Sequence, residues 1–206
     1  KLINSGKIDL IEKLNPSKFN NIKFHYIVQD EQKGLGHAIS LAEDFINNEP
    51  FAVLLPDDLF FSKDSCLNQL KRCYEISQSS VIAVNKIDLQ EIHKYGVIKP
   101  GKSKNNVLEI LDIIEKPKPD DAPSNIAVCG RYILNSSIFK KLKDVLPDES
   151  GEIQLTDAIK LILDDEEVNA CIYKGEKFDC GSKKGFVEAT IAISLRDHEI
   201  GEEIKN

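Results

Sequence analysis

The sequence lacks methionine entirely, and it has neither a long apolar run nor an excess of basic residues. No stretch approaches the roughly 18 apolar residues that a membrane-spanning helix needs, and no basic segment followed by an apolar core marks a secretion signal. Lys and Arg number 27 against 34 Asp and Glu, which argues against a cationic face for nucleic acid or anionic membranes. We therefore expect a cytoplasmic protein that binds neither nucleic acid nor membrane.

Cysteine and histidine are also scarce. The five cysteines form no C-x-x-C pair and are odd in number, so we expect reduced thiols in the core and no disulfide framework. The four histidines show no spacing suited to zinc. A structural zinc site is therefore not expected.

The length and composition predict one packed domain. With 206 residues, 41% hydrophobic and 30% charged, the chain can bury a core of its own, and we predict a single domain over residues 1–206. Residues 1–14 (KLINSGKIDLIEKL) already have the pattern of a helix. Because the chain also lacks Met, we expect that an N-terminal segment precedes Lys1.

Strands and helices alternate through the first ninety residues. Residues 22–29 are rich in β-branched and aromatic side chains, which predicts a strand, and residues 37–46 have helical spacing. The apolar run at 51–56 (FAVLLP) predicts a parallel strand buried on both faces. A helix over 64–77 and a strand over 80–87 follow. The alternation indicates βαβ units and a parallel sheet.

The pattern changes at Tyr95. Three strand-like segments joined by Gly, Pro and Asn turns predict an antiparallel or mixed insertion: YGVIKPG, NNVLEILDIIEKP and NIAVCGRYIL. Helices are then predicted over 136–142 and 154–163, a strand over 168–175 and a long closing helix over 183–198.

One motif matches a phosphate-binding loop by spacing alone. Residues 96–103 (GVIKPGKS) satisfy G-x-x-x-x-G-K-[ST], but that loop works only when a helix N-terminus follows it. Here Lys102 precedes a predicted strand, and Pro100 removes one amide of the cradle. We interpret the match as chance within a hairpin.

Carboxylates follow the buried strand and recur near the C-terminus. Asp57 and Asp58 come directly after FAVLLP, and ligands of open α/β sheets bind beyond the carboxyl ends of strands. Asp179 stands in a Gly-containing turn, and a second aspartate remote in sequence suits a metal that bridges phosphoryl oxygens. The alternative for each is a turn or capping residue.

Two further segments are candidates for ligand contact. Gly34 and Gly36 precede a helix and allow close backbone approach, although a tight turn is the better explanation when this segment is taken alone. Glu115 and Lys116 end an apolar strand, where neighbouring side chains point to opposite faces unless the backbone twists. Such a pair suits a sugar phosphate, and the alternative is a solvated ion pair.

Seven motifs, taken in order, resemble those of the bacterial UTP–glucose-1-phosphate uridylyltransferases: KGLGHA, LLPDD, KYGVI, IIEKPKP, SNIAVCGRYIL, GEIQLTDAI and FDCGSKKG. The resemblance runs from about Tyr26 to the C-terminus. It implies an α/β fold, a Rossmann-like nucleotidyltransferase of the glycosyltransferase-A type, with a mixed sheet flanked by helices and a β-rich sugar-binding insertion. It also implies that glucose 1-phosphate attacks the α-phosphorus of UTP with Mg²⁺ present, giving UDP-glucose and pyrophosphate.

The resemblance assigns nucleotide and metal roles to four residues. Gln29 and Gly34 are expected to contact the uracil, and Asp57 and Asp179 to hold Mg²⁺. Because phosphoryl transfer needs mainly positioning and charge stabilisation, no protein nucleophile is expected.

The resemblance also assigns a sugar side. Gly96 and Glu115 are expected to bind glucose hydroxyls, Lys116 the sugar phosphate, and Glu152 to line the sugar side. The catalytic residues are predicted to be Asp57, Lys116 and Asp179.

One family feature has no match. The family begins with a strand and a loop of the type G-x-G-T-R-x-x-P-x-T-K, and residues 1–25 contain nothing similar. The chain by itself is therefore expected to be inactive or grossly impaired, whereas the full protein is expected to be an enzyme. The alternatives are a nucleotidyltransferase for another sugar 1-phosphate and a non-catalytic nucleotide-sugar binding protein. The resemblance further suggests a homo-oligomer, a dimer or tetramer, with the closing helix as a candidate contact.

Overall fold

The computed structural model describes residues 19, 21–104 and 107–205. The chain divides into two compact units, Lys1–Asp30 and Glu31–Asn206. The single domain over 1–206 stays a prediction.

The described part of the first unit is irregular. Residues 22–29 form no strand, so the strand predicted there is wrong. A strand needs a neighbour that accepts and donates its backbone hydrogen bonds, and no described residue of this unit pairs with 22–29. High β-propensity alone therefore did not make this segment a strand.

The described residues of the second unit form strands and helices in alternation. The strands are β1 (Phe51–Leu54), β2 (Asp58–Phe61), β3 (Ser80–Lys86), β4 (Val97–Lys104), β5 (Val107–Ile114), β6 (Ile126–Leu134), β7 (Val168–Ile172) and β8 (Glu176–Asp179). The α-helices are α1 (Gly34–Ser40), α2 (Glu43–Ile46), α3 (Cys66–Ser77), α4 (Ile138–Asp144), α5 (Leu155–Ile162), α6 (Lys183–Ser194) and α7 (Gly201–Ile204). Short 3₁₀ turns occupy Leu89–Lys94 and Pro119–Asp121.

Most of these strands form one mixed sheet in the order β1-β6-β3-β7-β5-β4. The β3–β7 pair is parallel, whereas β6 runs antiparallel to β1 and β3, and β5 antiparallel to β4 and β7. The parallel sheet expected from the first ninety residues is not seen, because β1 and β3 both pair with the antiparallel β6, whereas the mixed sheet that the resemblance implied is present. The strand-rich segment after Tyr95 joins this sheet and makes it mixed.

The prediction for β1 also needs correction. Among the described strands it has one neighbour, the antiparallel β6, and its residues alternate between partly buried and exposed. A continuous apolar run cannot by itself distinguish a central strand from an edge strand. The parallel strand buried on both faces that was predicted for residues 51–56 is therefore not observed.

The residues that match a phosphate-binding loop by spacing, 96–103, lie in the hairpin of β4 and β5. Residues 97–104 form β4, antiparallel to β5, and the Lys102 amide donates to Glu109 Oε2 at 3.0 Å. No helix N-terminus follows, so the interpretation of a chance match in a hairpin is confirmed.

Helices cover both faces of the main sheet. On one face Ile82 and Val84 of β3 pack with Ile138 of α4 and Ile159 of α5. On the other face Val81 and Ala83 of β3 pack against Cys66, Leu70 and Cys73 of α3. The same cluster includes Val107, Cys129, Cys171 and Tyr173. Each fully buried Ile, Leu or Val contributes about 1.5–3 kcal/mol. The two clusters hold the sheet between layers of helices.

The cysteines are free thiols, as predicted. Four lie in the core, and Cys180 is only partly buried. Burial raises the pKa of the Cys66 and Cys129 thiols to about 12. Across the described residues, helices are too short or too polar to span a membrane.

Candidate active site

The paired aspartates lie where the turn after β1 leads into β2, with Asp57 in the turn and Asp58 as the first residue of β2. The backbone of this turn is fixed by Arg131 on β6, whose guanidinium donates to the carbonyls of Leu55 at 2.6 Å and Asp58 at 2.7 Å. The Leu55 amide donates to Gly130 O at 2.9 Å. The strand β6 therefore holds Asp57 in place at the end of β1.

The two aspartates have different surroundings. Asp58 is buried, with Oδ1 at 2.9 Å from Lys177 Nζ and Oδ2 accepting from the Gly130 amide at 2.8 Å. Asp57 is exposed to the cleft. Asp58 therefore has the structural role that the alternative interpretation assigned to a turn residue, and Asp57 is available for a ligand.

The small sheet of β2 and β8 brings Asp57 and Asp179 together. In its antiparallel register Asp58 lies opposite Asp179, and the Cys180 amide donates to Asp57 O at 2.8 Å. A Cβ atom placed on Gly181 would lie 3.0 Å from Asp57 Oδ2 and 3.1 Å from Asp179 Oδ1. The two carboxylates therefore converge on one point above Gly181.

This pair suits a divalent cation that completes its shell with substrate. Mg²⁺ prefers oxygen ligands and is commonly held by one or two carboxylates together with substrate phosphates and water. Within the described ranges, no cluster of three or more acidic, Cys or His side chains could hold a metal by itself. The residues present fit a shared cation and not a closed structural metal site.

Both oxygens of Asp179 are held in the structure. Tyr95 donates its hydroxyl to Oδ2 at 2.9 Å, and the Gly181 amide donates to Oδ1 at 3.0 Å. Burial raises the pKa of the Tyr95 phenol well above its usual range, and the bond to Asp179 adds to this effect. Tyr95 therefore keeps its proton and remains a donor at neutral pH.

The Glu115–Lys116 pair follows the end of β5. Lys116 has a left-handed backbone, φ 43°, and its amide donates to Tyr95 O at 3.1 Å. Lys116 Nζ lies 3.5 Å from Glu115 Oε1. This positive φ supplies the twist that an adjacent acid and base need to face one ligand, and non-glycine residues in this conformation concentrate at functional sites.

Thr156 orients the Glu115 carboxylate. Its hydroxyl, at the N-terminal turn of α5, donates to Glu115 Oε2 at 2.7 Å. A Cβ atom on Gly96 would lie 3.1 Å from the same Oε2 and 3.2 Å from Thr156 Oγ1. A larger residue at position 96 would therefore crowd this carboxylate.

The structure brings most predicted site residues into one cleft. The cleft has a volume of about 290 Å³ and is lined, among others, by Asp57, Gly96, Glu115, Lys116 and Asp179. A second cavity of about 370 Å³ adjoins it beyond Tyr95 and Asp179. The carboxylate pair and the Glu115–Lys116 pair therefore share one cavity.

Three predicted residues lie elsewhere. Glu152 lines an adjoining groove of about 460 Å³ that also includes Glu115 and Lys116. Gly34, at φ 84°, packs against Glu152 and Ile153, so tight packing already explains this glycine. Gln29 belongs to the first unit, and its nucleotide role stays a prediction.

Four residues with a clear part in the site were not predicted from the sequence: Tyr95, Arg131, Thr156 and Lys177. Tyr95 directly precedes Gly96, which was predicted. Lys177 stands two residues before Asp179 in the same strand, so the two side chains share a face. Continuing the strand pattern of FDCGSKKG by one residue towards the N-terminus would have identified Lys177. The roles of Arg131 and Thr156 in the site depend on tertiary contacts, which leave no pattern in the local sequence.

Comparison with known proteins identifies the family of this chain. Residues 6–195 match the profile described as Nucleotidyl transferase. The chain therefore belongs to the nucleotidyl transferase family.

Within this family the chain is similar to the UTP–glucose-1-phosphate uridylyltransferases. It is 43% identical to the protein of that name from Staphylococcus epidermidis RP62A over 204 residues, 99% of this chain and 70% of that protein. It is 44% identical to UTP–glucose-1-phosphate uridylyltransferase 2 of Staphylococcus saprophyticus over 200 residues, 97% of this chain and 68% of that protein. The resemblance indicated by the motifs is confirmed.

Solved structures agree with the sequence relatives. A UDP-glucose pyrophosphorylase complexed with UDP-glucose superposes with a TM-score of 0.81 at 44% identity, covering 84% of this chain and 67% of that chain. A UTP-bound enzyme of the same type from Acinetobacter baumannii gives 0.86 at 33% identity, covering 99% and 71%. The predicted mixed α/β nucleotidyltransferase fold is therefore confirmed.

Proposed function

We propose that the protein transfers UMP from UTP to glucose 1-phosphate, giving UDP-glucose and pyrophosphate. The observation that supports this proposal most directly is that Asp57 and Asp179 converge in the same cleft as Glu115 and Lys116. This arrangement sets an oxygen-ligand pair for a cation beside an acid and base suited to a sugar phosphate. The relatives named above support the choice of uracil nucleotide and glucose.

The cleft residues divide the binding of two anionic reactants between them. Asp57 and Asp179 would hold Mg²⁺, which when bound screens the repulsion between the phosphates of UTP and glucose 1-phosphate. Lys116 would place its positive charge on the sugar phosphate. Glu115, oriented by Thr156, would accept hydrogen bonds from glucose hydroxyls beside Gly96.

The reaction needs no protein nucleophile. The phosphate oxygen of glucose 1-phosphate attacks the α-phosphorus of UTP, the bond to the β-phosphate oxygen breaks, and pyrophosphate leaves. The residues contribute by orienting the two substrates in line and by stabilising charge. Asp57, Lys116 and Asp179 are therefore catalytic through contact with the reacting groups or their cation.

Pyrophosphate release tests the proposal. The full-length protein is given UTP and glucose 1-phosphate with Mg²⁺, and the Asp57→Asn variant is compared with Asp112→Asn, which changes a carboxylate outside the cleft. We expect turnover by the wild type and by Asp112→Asn, and a loss of at least about 100-fold for Asp57→Asn, as for removal of a key charge-stabilising group. Wild-type turnover by Asp57→Asn would contradict the metal role.

Two alternative functions predict different outcomes of the same assay. Faster turnover with galactose 1-phosphate or dTTP would indicate a related nucleotidyltransferase. Binding of UDP-glucose without any turnover would indicate a non-catalytic binding protein. The Staphylococcus relatives, each about 43% identical over nearly the whole chain, favour the first proposal over both.

Four finer statements extend this proposal. Gln29 and Gly34 would contact the uracil, and Glu152 would line the sugar side from the adjoining groove. The protein would be cytoplasmic, and it would form a dimer or tetramer. Light scattering after size-exclusion chromatography tests the oligomeric state.

A further inference from the structure

The Tyr95 hydroxyl occupies a position that no role in the proposed reaction yet explains. It lies 2.9 Å from Asp179 Oδ2, on the side of the carboxylate opposite to the oxygen that faces Gly181 and Asp57. Rotation of the Asp179 side chain would break this bond and would turn Oδ1 away from Asp57. Together with the Gly181 amide, which donates to Oδ1 at 3.0 Å, the hydroxyl therefore fixes which oxygen of Asp179 points at the shared point.

Tyr95 is itself held firmly. Its amide donates to Ile92 O at 3.2 Å, and its carbonyl accepts from the Lys116 amide at 3.1 Å. The Lys177 ammonium lies 5.0 Å from the centre of its ring, within cation–π range. Lys177 in turn pairs with the buried Asp58 at 2.9 Å.

These contacts join the two halves of the cleft at one residue. The Tyr95 side chain supports Asp179, whereas its backbone supports Lys116. A change that removes only the hydroxyl would therefore affect the carboxylate pair and leave the Glu115–Lys116 pair in place.

We propose that Tyr95 is a positioning residue that orients Asp179 for the divalent cation of the proposed reaction. This inference rests on the proposed function. Partners that hydrogen-bond to metal ligands typically change metal affinity by 10–100-fold when they are removed. The hydroxyl has no need to touch either substrate to have this effect.

The variant Tyr95→Phe removes one oxygen and keeps the ring, the backbone bonds and the contact with Lys177. Tyr173→Phe is the matched control, because the Tyr173 hydroxyl bonds to Ser62 at 3.1 Å and does not line the cleft. Mn²⁺ binding to each full-length protein with UTP present is followed by electron paramagnetic resonance. The Mg²⁺ concentration for half-maximal turnover and the KM for glucose 1-phosphate are measured in parallel.

For Tyr95→Phe we expect Mn²⁺ to bind about 10-fold more weakly and half-maximal Mg²⁺ to rise by a similar factor. The KM for glucose 1-phosphate and the kcat at saturating Mg²⁺ are expected to stay within about twofold, as are all values for Tyr173→Phe. Unchanged metal dependence would overturn the inference, and so would a raised KM with unchanged Mn²⁺ affinity, which would place Tyr95 on the sugar. Absence of wild-type turnover with intact Mn²⁺ binding would instead contradict the proposed function alone.

Discussion

Asp57 and Asp58 show how adjacent, chemically identical residues can have opposite environments. Asp58 is buried and paired with Lys177, whereas Asp57 is exposed in the cleft. Removal of one member of a buried ion pair leaves the other charge uncompensated and typically costs 3–5 kcal/mol. Exposed residues away from such features usually change stability by less than about 0.5 kcal/mol.

We therefore expect Asp58→Asn to lower the free energy of unfolding by about 3 kcal/mol, and Asp57→Asn to change it by less than about 0.5 kcal/mol. Urea unfolding followed by circular dichroism measures both. Equal losses for the two variants would show that the buried pair does not stabilise the fold. Turnover should show the opposite order: Asp57→Asn should lose more activity than Asp58→Asn, because Asp57 is the proposed metal ligand.

Two glycines share a left-handed backbone but differ in their contacts. Gly34 and Gly151 both have φ 84°. A Cβ on Gly34 would lie 2.8 Å from Glu152 Cβ and 3.0 Å from Ile153 O, whereas a Cβ on Gly151 would meet nothing within 4 Å. The comparison separates backbone strain from crowding.

For Gly151→Ala we expect a loss of about 1 kcal/mol from the left-handed backbone alone. Gly34→Ala should lose about 2–4 kcal/mol, because overpacking adds to the same strain. Thermal and urea unfolding of both variants provide the measurement. Equal losses for the two variants would show that the turn at Gly34 can move away from residues 152–153 without a further cost in free energy.

At the scale of elements, α5 is joined to β5 by the ion pair of Lys160 Nζ and Asp112 Oδ1 at 2.8 Å. Partial burial raises the pKa of Asp112, but the hydrogen bonds from Lys160 and the Ile113 amide outweigh it and lower the pKa overall. An acid with a lowered pKa stabilises the folded state above its unfolded pKa. This contribution is lost as the pH falls through the folded pKa.

We expect Asp112→Asn to lower the free energy of unfolding by about 0.5 kcal/mol at pH 7, since the pair is partly exposed and screened by solvent. The difference from wild type should shrink below about pH 4, where the unfolded aspartate is protonated. Urea unfolding at several pH values tests this. In a Lys160→Gln background the same substitution should have a smaller effect, and an undiminished effect would assign the stability to the Ile113 amide bond.

Sequence periodicity predicted the helices and strands that have a strong apolar pattern. It did not predict which strands pair with each other or in which direction they run. The strands predicted over 80–87 and 168–175 and the helix over 64–77 correspond to β3, β7 and α3, because each has a strong apolar pattern. The segment 37–46 was predicted as one helix, but α1 and α2 are separated by a turn at Leu41–Ala42. Strand pairing depends on partners remote in sequence, so the pairing of β1 and β3 with the antiparallel β6 did not follow from the pattern of the first ninety residues.

At the scale of the whole molecule, the cleft lies where the main sheet meets the small sheet. Gly96 and Glu115 flank the hairpin strands β4 and β5, whereas Asp58 and Asp179 belong to β2 and β8. The sequence motifs predicted Asp57, Gly96, Glu115, Lys116 and Asp179 of the cleft, each of which lies at or next to the end of a strand. The contacts of Arg131 and Thr156 cross between elements, so they could be seen only in the folded chain.

Because the cleft joins two sheets, a ligand bound there should stabilise both together. A ligand at 100 times its Kd that binds only the folded state adds about 2.7 kcal/mol. We expect UDP-glucose with Mg²⁺ to raise the free energy of unfolding of the full-length protein by about this amount, and EDTA to remove most of the increase. Thermal unfolding with and without the chelator measures the effect.

The aspartate variants make this prediction specific to the carboxylate pair. In Asp57→Asn and Asp179→Asn the ligand-induced increase should be small and insensitive to EDTA, because neither variant keeps both negatively charged carboxylates above Gly181. Asp112→Asn, whose carboxylate lies outside the cleft, should retain the full EDTA-sensitive increase. An increase in wild type that survives EDTA unchanged would mean that UDP-glucose binds without a cation between Asp57 and Asp179.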